Sequence, residues 1–250
     1  MSGLLGAIQF LTRVPIRLPA PVDHARVVPW FGVVGVLIGA AVGGAAAGLT
    51  ELVPLPVAAA VAVAVGLLIT GAFHEDGLAD VADAFGGGWT VERRLEILKD
   101  SRHGTYGVAA LTTSIVVRVA AAATIVGPAA LFVSFLAAHT LGRCAAVAAL
   151  WSAPPATESG LGVDTASSVR PLGGVAGITV GVAAVAVVGG WWVAPFLAAA
   201  AVGTAAVVAL AVRKIGGLAG DVLGAIEQVV ECLVLVVASG VAMRSSPWWT

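Results

Sequence analysis

Apolar residues run almost unbroken from about Val27 to Leu49, Leu52 to Phe73, Thr105 to Val126, Pro128 to Trp151, Leu172 to Val188, Trp191 to Val212, and Val222 to Met243. Each run approaches the roughly 20 residues that a helix needs to cross about 30 Å of hydrocarbon. The pattern therefore predicts an all-α, polytopic transmembrane bundle of about seven spans, one domain over residues 1–250. Only Gly189 and Gly190 separate the fifth run from the sixth, so a tight turn there gives seven spans and a re-entrant pair gives six. Abundant Ala, Gly and Val let helix backbones approach closely where lipid supplies no drive for association. Two polar stretches break the pattern. The opening MSGLLGAIQFLTRVPIRLP has no basic start and no cleavage site and fits a short interfacial helix. WTVERRLEILKDSR, after Gly86 to Gly88, fits an amphipathic cytoplasmic helix between the second and third spans. It would bury Leu95 and Leu98 and pair Glu92 and Glu96 with Arg93, Arg94 and Lys99 on its outer face.

Composition supports the membrane reading: 59% of residues are hydrophobic, 11% are charged and the mean hydropathy is +1.02. A soluble domain has about 45–50% apolar and about 25% charged residues. A net charge of −1 without a basic stripe excludes nucleic-acid binding by bulk attraction. Cys144 and Cys232 sit inside apolar runs and support neither a disulfide framework nor a thiolate metal site. Lysine and arginine accumulate in cytoplasmic loops. With seven spans and the N-terminus inside, Arg13, Arg17, Arg26, Arg93, Arg94, Lys99, Arg102, Arg170, Arg213 and Lys214 share one side and Arg244 stands alone on the other. The long polar loops His74 to Gly104, Ser152 to Pro171 and Arg213 to Asp221 then face the cytoplasm, and any chemistry takes cytoplasmic substrates.

The second run leads directly into GAFHEDGLADVADAFGGG. At 100° per residue, Asp76, Asp80 and Asp83 fall within about 60° of one helix face. Like charges so placed repel unless a cation lies among them, and Mg²⁺ is held by one or two carboxylates with phosphate oxygens and water. A solvated helix end is the plainer explanation, but such ends usually mix signs, and the nearest basic residues come ten positions on. Glu75 falls off the shared face and is expected to face water; His74, at the membrane boundary, is a candidate substrate contact. Lys99, Asp100, Ser101 and Arg102 precede Gly104, Thr105 and Tyr106 at the start of the third span, where amides, hydroxyls and cations suit a phosphate. Arg118, His139 and Arg143 lie within spans, where charges usually face a polar interior. Arg143 is near enough to the cytoplasmic end to reach a polar site, and Arg118 is expected to pair with an acid. In the last span Asp221 begins the helix, Glu227 is expected to join the carboxylates, and Glu231 to be a paired structural group. Together these features suggest metal-assisted transfer involving a phosphate.

Five segments carry a resemblance: FLTRVPIRLP, FHEDGLADVADAFGGG, LEILKDSRHGTYG, LGRCAAV and GGLAGDVLGAIEQVVE. In this order, over nearly the whole chain, they resemble the cobalamin synthase family, the adenosylcobinamide-GDP ribazoletransferases. The resemblance implies a multi-pass enzyme of the bacterial or archaeal cytoplasmic membrane that depends on Mg²⁺. A hydroxyl of α-ribazole or its 5′-phosphate would attack the cobinamide-side phosphate of adenosylcobinamide-GDP, release GMP and complete the nucleotide loop. By that likeness Asp76, Asp80 and Asp83 would bind Mg²⁺, with one of them helping to deprotonate the hydroxyl. Lys99, Arg102 and Gly104 to Tyr106 would hold the diphosphate, with Asp100 and Ser101 beside them. Asp221 and Glu227 would supply a second metal position or bind substrate hydroxyls. Association with other cobamide-assembly enzymes at the membrane follows by the same analogy. Ala84, Thr157 and Ala219 depart from the family pattern, where a glycine, an arginine and a threonine are usual. The spacing of Asp76, Asp80 and Asp83 fits neither a CDP-alcohol phosphotransferase nor a prenyltransferase. A transporter would place its acids at the midplane rather than at one edge.

Overall fold

Why the second apolar run does not form one straight span is visible in its backbone. In the computed structural model, which describes residues 2–17, 23–157 and 171–250, Gly71 and Ala72 both adopt left-handed φ values, 66° and 56°. Their reversal ends α4 (Leu55–Thr70) and starts α5 (Phe73–Gly87) at a 92° bend. Before them come α1 (Ser2–Leu11), α2 (His24–Val27) and α3 (Phe31–Leu49). After them come α6 (Val91–Ile97), α7 (Thr105–Ala122), α8 (Pro128–Ala149), α9 (Pro171–Gly189), α10 (Val193–Ile215) and α11 (Gly220–Ala242). No strand occurs among the described residues. Most of the Ser152 to Pro171 loop, with Arg170, and the last residues of FLTRVPIRLP lie outside them.

Among the described residues five helical stretches are long and apolar enough to cross a membrane, and there are six when the bent α4–α5 pair is taken as one span. The chain is a multi-pass helical membrane protein. One of the five, Pro171–Ile215, has 45 residues, more than twice a span's requirement. It turns at Gly190, where φ is 58°, and Ile178 and Val182 of α9 line the same cavity as Ala201 and Ala205 of α10. The two arms therefore lie side by side, which accounts for seven apolar runs in six stretches.

At the centre lies α8, 89% buried over its most apolar window. Gly35, Gly39 and Gly43 of α3 form an i, i+4 stripe against it, and a Cβ on any of them would strike backbone of His139, Leu136 or Phe132. That close approach is what a small-residue stripe permits. At one end of the bundle Arg13 N–H donates to Ile69 O (2.7 Å), Arg94 Nη1 to Lys214 O (2.8 Å) and Lys214 Nζ to Phe85 O (3.1 Å). At the other end the indoles of Trp248 and Trp249 donate to Val187 O and Val188 O. Three of the basic positions grouped by the sequence, Arg13, Arg94 and Lys214, are thus placed at one end. Cys144 and Cys232 are free thiols.

Candidate active site

The α5 helix wedges between α7 and α11. Gly77 allows this contact, because a Cβ there would meet the Asp221 backbone. Asp76 is exposed on α5, and Asp80, one turn on, is half-buried. There His103, in the loop between α6 and α7, places Nε2 3.4 Å from Asp76 Oδ1 and Nδ1 3.4 Å from Asp80 Oδ1. One ligand atom from each of the three lies within 4.8 Å of the others. Side-chain exposures of 63% for Asp76 and 37% for His103 leave room for water and a phosphate, while Asp80 is more enclosed. Two carboxylates, one of them open to solvent, match the donors Mg²⁺ selects; the imidazole, a poorer partner for so hard a cation, suits hydrogen bonding beside it.

The third aspartate is placed elsewhere. Asp83 is buried, and its Oδ2 and Oδ1 accept the N–H groups of Gly104 (2.6 Å) and Gly107 (2.9 Å). It caps the positive start of α7 and so stands apart from the cation cluster. Two expectations are changed at once: the shared face of the three aspartates does not converge on one point, and one amide of the supposed phosphate cradle, that of Gly104, is already occupied. Thr105 and Tyr106 remain exposed, the Tyr106 ring lying over Gly86. Lys99 and Ser101 are also exposed. Arg102 forks onto Asp100 through Nε at 3.0 Å and Nη2 at 2.7 Å, and these hydrogen bonds hold the exposed Asp100 down at about 2. On the surface of α6, Arg93 pairs with Glu96 at 2.9 Å.

Deeper in the bundle lies a second charged constellation. Glu75 does not face water; its side chain is 3% exposed and sits 3.0 Å from Arg118 Nη1, because α5 is enclosed on that side by α7. Glu231 meets Arg118 and Arg143, each at 3.1 Å, and contacts His139, as expected of a paired structural acid. Glu227 does not join Asp76 and Asp80. It is fully buried, ion-paired to Arg143, accepts from Gln228 Nε2 at 3.0 Å and lies 3.5 Å from His74 Nδ1. His139, Glu227 and Glu231 are close enough to hold a cation, but the Arg143 guanidinium already supplies that positive charge. Between the two constellations a cavity of about 100 Å³ is lined by Phe10, Phe31 and Phe73, with His74 and Arg143 and the carboxyl-bearing Asp76 and Asp221.

Sequence reasoning missed His103. The signal was present: a histidine just before a glycine-started helix, in the quoted KDSRHG segment.

A family model described as cobalamin-5-phosphate synthase matches residues 3–239. The chain is 38% identical over 251 residues to the adenosylcobinamide-GDP ribazoletransferase of Bradyrhizobium diazoefficiens, covering 97% of this chain and 95% of that one. It is 34% identical to the like-named protein of Shewanella pealeana (94% and 95% covered) and 38% identical to that of Ralstonia nicotianae (92% and 91% covered). No solved structure matches. With its multi-pass helical architecture and a match over nearly its whole length, the chain belongs to the cobalamin-5-phosphate synthase family.

Proposed function

We propose that this chain is an adenosylcobinamide-GDP ribazoletransferase of the cytoplasmic membrane, working at the cytoplasmic face. It joins adenosylcobinamide-GDP to α-ribazole or α-ribazole 5′-phosphate and releases GMP. The observation that carries this reading within the site is the Asp76–Asp80–His103 cluster, opening at the basic end of the bundle beside a cavity, in a chain related to such transferases from end to end.

The residues divide the work. Asp76 and Asp80 would hold Mg²⁺, and the cation would supply positive charge to offset that of the diphosphate. Lys99 and Arg102 reach the same phosphates; Arg102 trades its exposed partner Asp100 for a phosphate at little cost. The attacking hydroxyl gives its proton to the His103 imidazole, oriented by the two flanking carboxylates. One P–O bond forms to the ribazole, and the P–O bond to GMP breaks. Asp221, at the cavity mouth, accepts from substrate hydroxyls. Glu227 and Arg143 support the site from beneath through His74, and Asp83 fixes the start of α7 so that His103 is held in place. Other cobamide-assembly enzymes associate with this face of the membrane.

Detergent-purified protein tests the reading. GMP and a cobamide should appear in equal amounts only when adenosylcobinamide-GDP, a ribazole and Mg²⁺ are all present, and chelation should stop both. GMP release without ribazole would mark a hydrolase, and no product from the folded protein would overturn the reading.

A further inference from the structure

The cavity beside the cluster combines features that do not usually occur together. Phe10 stacks on Phe31 with ring centroids 5.7 Å apart and meets Phe73 edge-on at 5.3 Å. Phe73 nevertheless keeps 42% of its surface exposed. Beneath these rings lie Arg143 and His74, 1% and 6% exposed. Arg143 Nε and His74 Nδ1 are buried without a hydrogen-bond partner, although Nδ1 has Glu227 Oε2 at 3.5 Å. Buried polar groups are almost always satisfied, and an orphan donor on a cavity wall points to an acceptor supplied from outside. The mouth carries Asp76 and Asp221, so whatever fills the cavity leads directly to the reaction cluster.

A flat apolar body, one buried acceptor and hydroxyl groups at the mouth describe a heteroaromatic nucleoside. A lipid acyl chain would suit the phenylalanines but offers nothing to Arg143 or Asp221. Resting on the transferase reading, we propose that this cavity seats the base of the ribazole acceptor. The ring packs against Phe31 and Phe73, its unsubstituted nitrogen accepts from Arg143 Nε–H, and Asp221 receives a ribose hydroxyl. The sugar is thereby led toward Asp76 and Asp80.

The test uses full-length protein in detergent, with Phe31→Ala, Phe31→Leu and Leu223→Trp, the last filling the cavity. Two quantities are read: the KM for each substrate, and the Kd for α-ribazole alone by fluorescence titration. Loss of aromatic packing predicts a rise of about tenfold in KM and Kd for α-ribazole. The KM for adenosylcobinamide-GDP should move less than twofold. Phe31→Leu keeps the apolar character and most of the bulk and should still show the loss, which separates stacking from collapse of the site. If wild type makes cobamide but the variants keep their α-ribazole constants, or both substrates weaken together, the cavity has another occupant and the proposal is overturned while the reaction stands. If wild type makes no cobamide yet binds α-ribazole in a Phe31-dependent way, the transferase reading fails and the base site survives. If it neither reacts nor binds, both fall.

Discussion

Asp83→Ala separates a structural anchor from a metal ligand. The substitution removes a buried carboxylate that accepts two backbone N–H groups, at 2.6 Å from Gly104 and 2.9 Å from Gly107. Hydrogen bonds to a charged group contribute about 1.5–3 kcal/mol each, and an anion at a helix N-terminus about 0.3–2 kcal/mol. Releasing the carboxylate from its buried position offsets part of that sum, leaving a net loss of about 3 kcal/mol. For a chain of this size a loss of that magnitude lowers Tm by about 6–12 °C. Asp83→Asn keeps one carbonyl acceptor but loses the charge, and should fall about halfway. The assay is thermal unfolding in detergent, paired with the Mg²⁺ concentration that half-saturates product formation at a temperature where every variant is folded. The anchor role predicts the graded Tm loss with half-saturation within about twofold of wild type. A Tm within 1 °C of wild type in Asp83→Ala, with Mg²⁺ half-saturation raised tenfold, would refute it and return Asp83 to the cation site.

Three further outcomes follow from the geometry. Arg118→Leu leaves Glu75 buried and unpaired, so it should cost about 3–5 kcal/mol and strip the monodisperse peak from size-exclusion chromatography; adding Glu75→Gln should restore part of it. A carboxylate must give up its proton to hold a cation, so with Asp80 as a ligand Mg²⁺ half-saturation should rise as pH falls from 7 to 5; a flat profile would remove Asp80 from the ligands. Gly39→Leu forces a side chain into the α8 backbone and should cost about 3 kcal/mol or more, whereas Gly44→Leu, with open space around it, should unfold at the wild-type temperature.

Hydropathy made the spans legible because run length and composition decide membrane crossing almost alone. The 92° bend was not legible, since it needs Ala72 in a left-handed conformation that alanine rarely adopts. That bend misdirected three readings of the site. Helical spacing does set Asp76, Asp80 and Asp83 on one side of α5, but the start of α7 packs against the far end of that side and takes Asp83 for its own amides. Glu75, a step off that face, looked solvated only on the assumption of a free helix end; α5 is wedged between α7 and α11, and the off-face direction points at Arg118. Glu227 and Glu231 share a helix face as their i, i+4 spacing requires, yet that face meets Arg143 rather than Asp76. His103 stands out locally as a histidine just before a glycine-started helix, but that it meets Asp76 and Asp80 depends on a loop closure that its neighbours in sequence do not encode. The bulk of the fold was therefore readable from local signals, while membership of the cluster depended on contacts between segments far apart in sequence.

The central claim is that the cluster of Asp76, Asp80 and His103 is where the ribazole displaces GMP. Simultaneous measurement of GMP and cobamide with wild type and Asp80→Asn, at equal folded concentration and across a Mg²⁺ series, tests it most directly. The account predicts equal, Mg²⁺-dependent formation of both products by wild type and a loss of at least about a hundredfold in Asp80→Asn. An Asp80→Asn protein that makes both products at the wild-type rate, with the wild-type Mg²⁺ dependence, would contradict it.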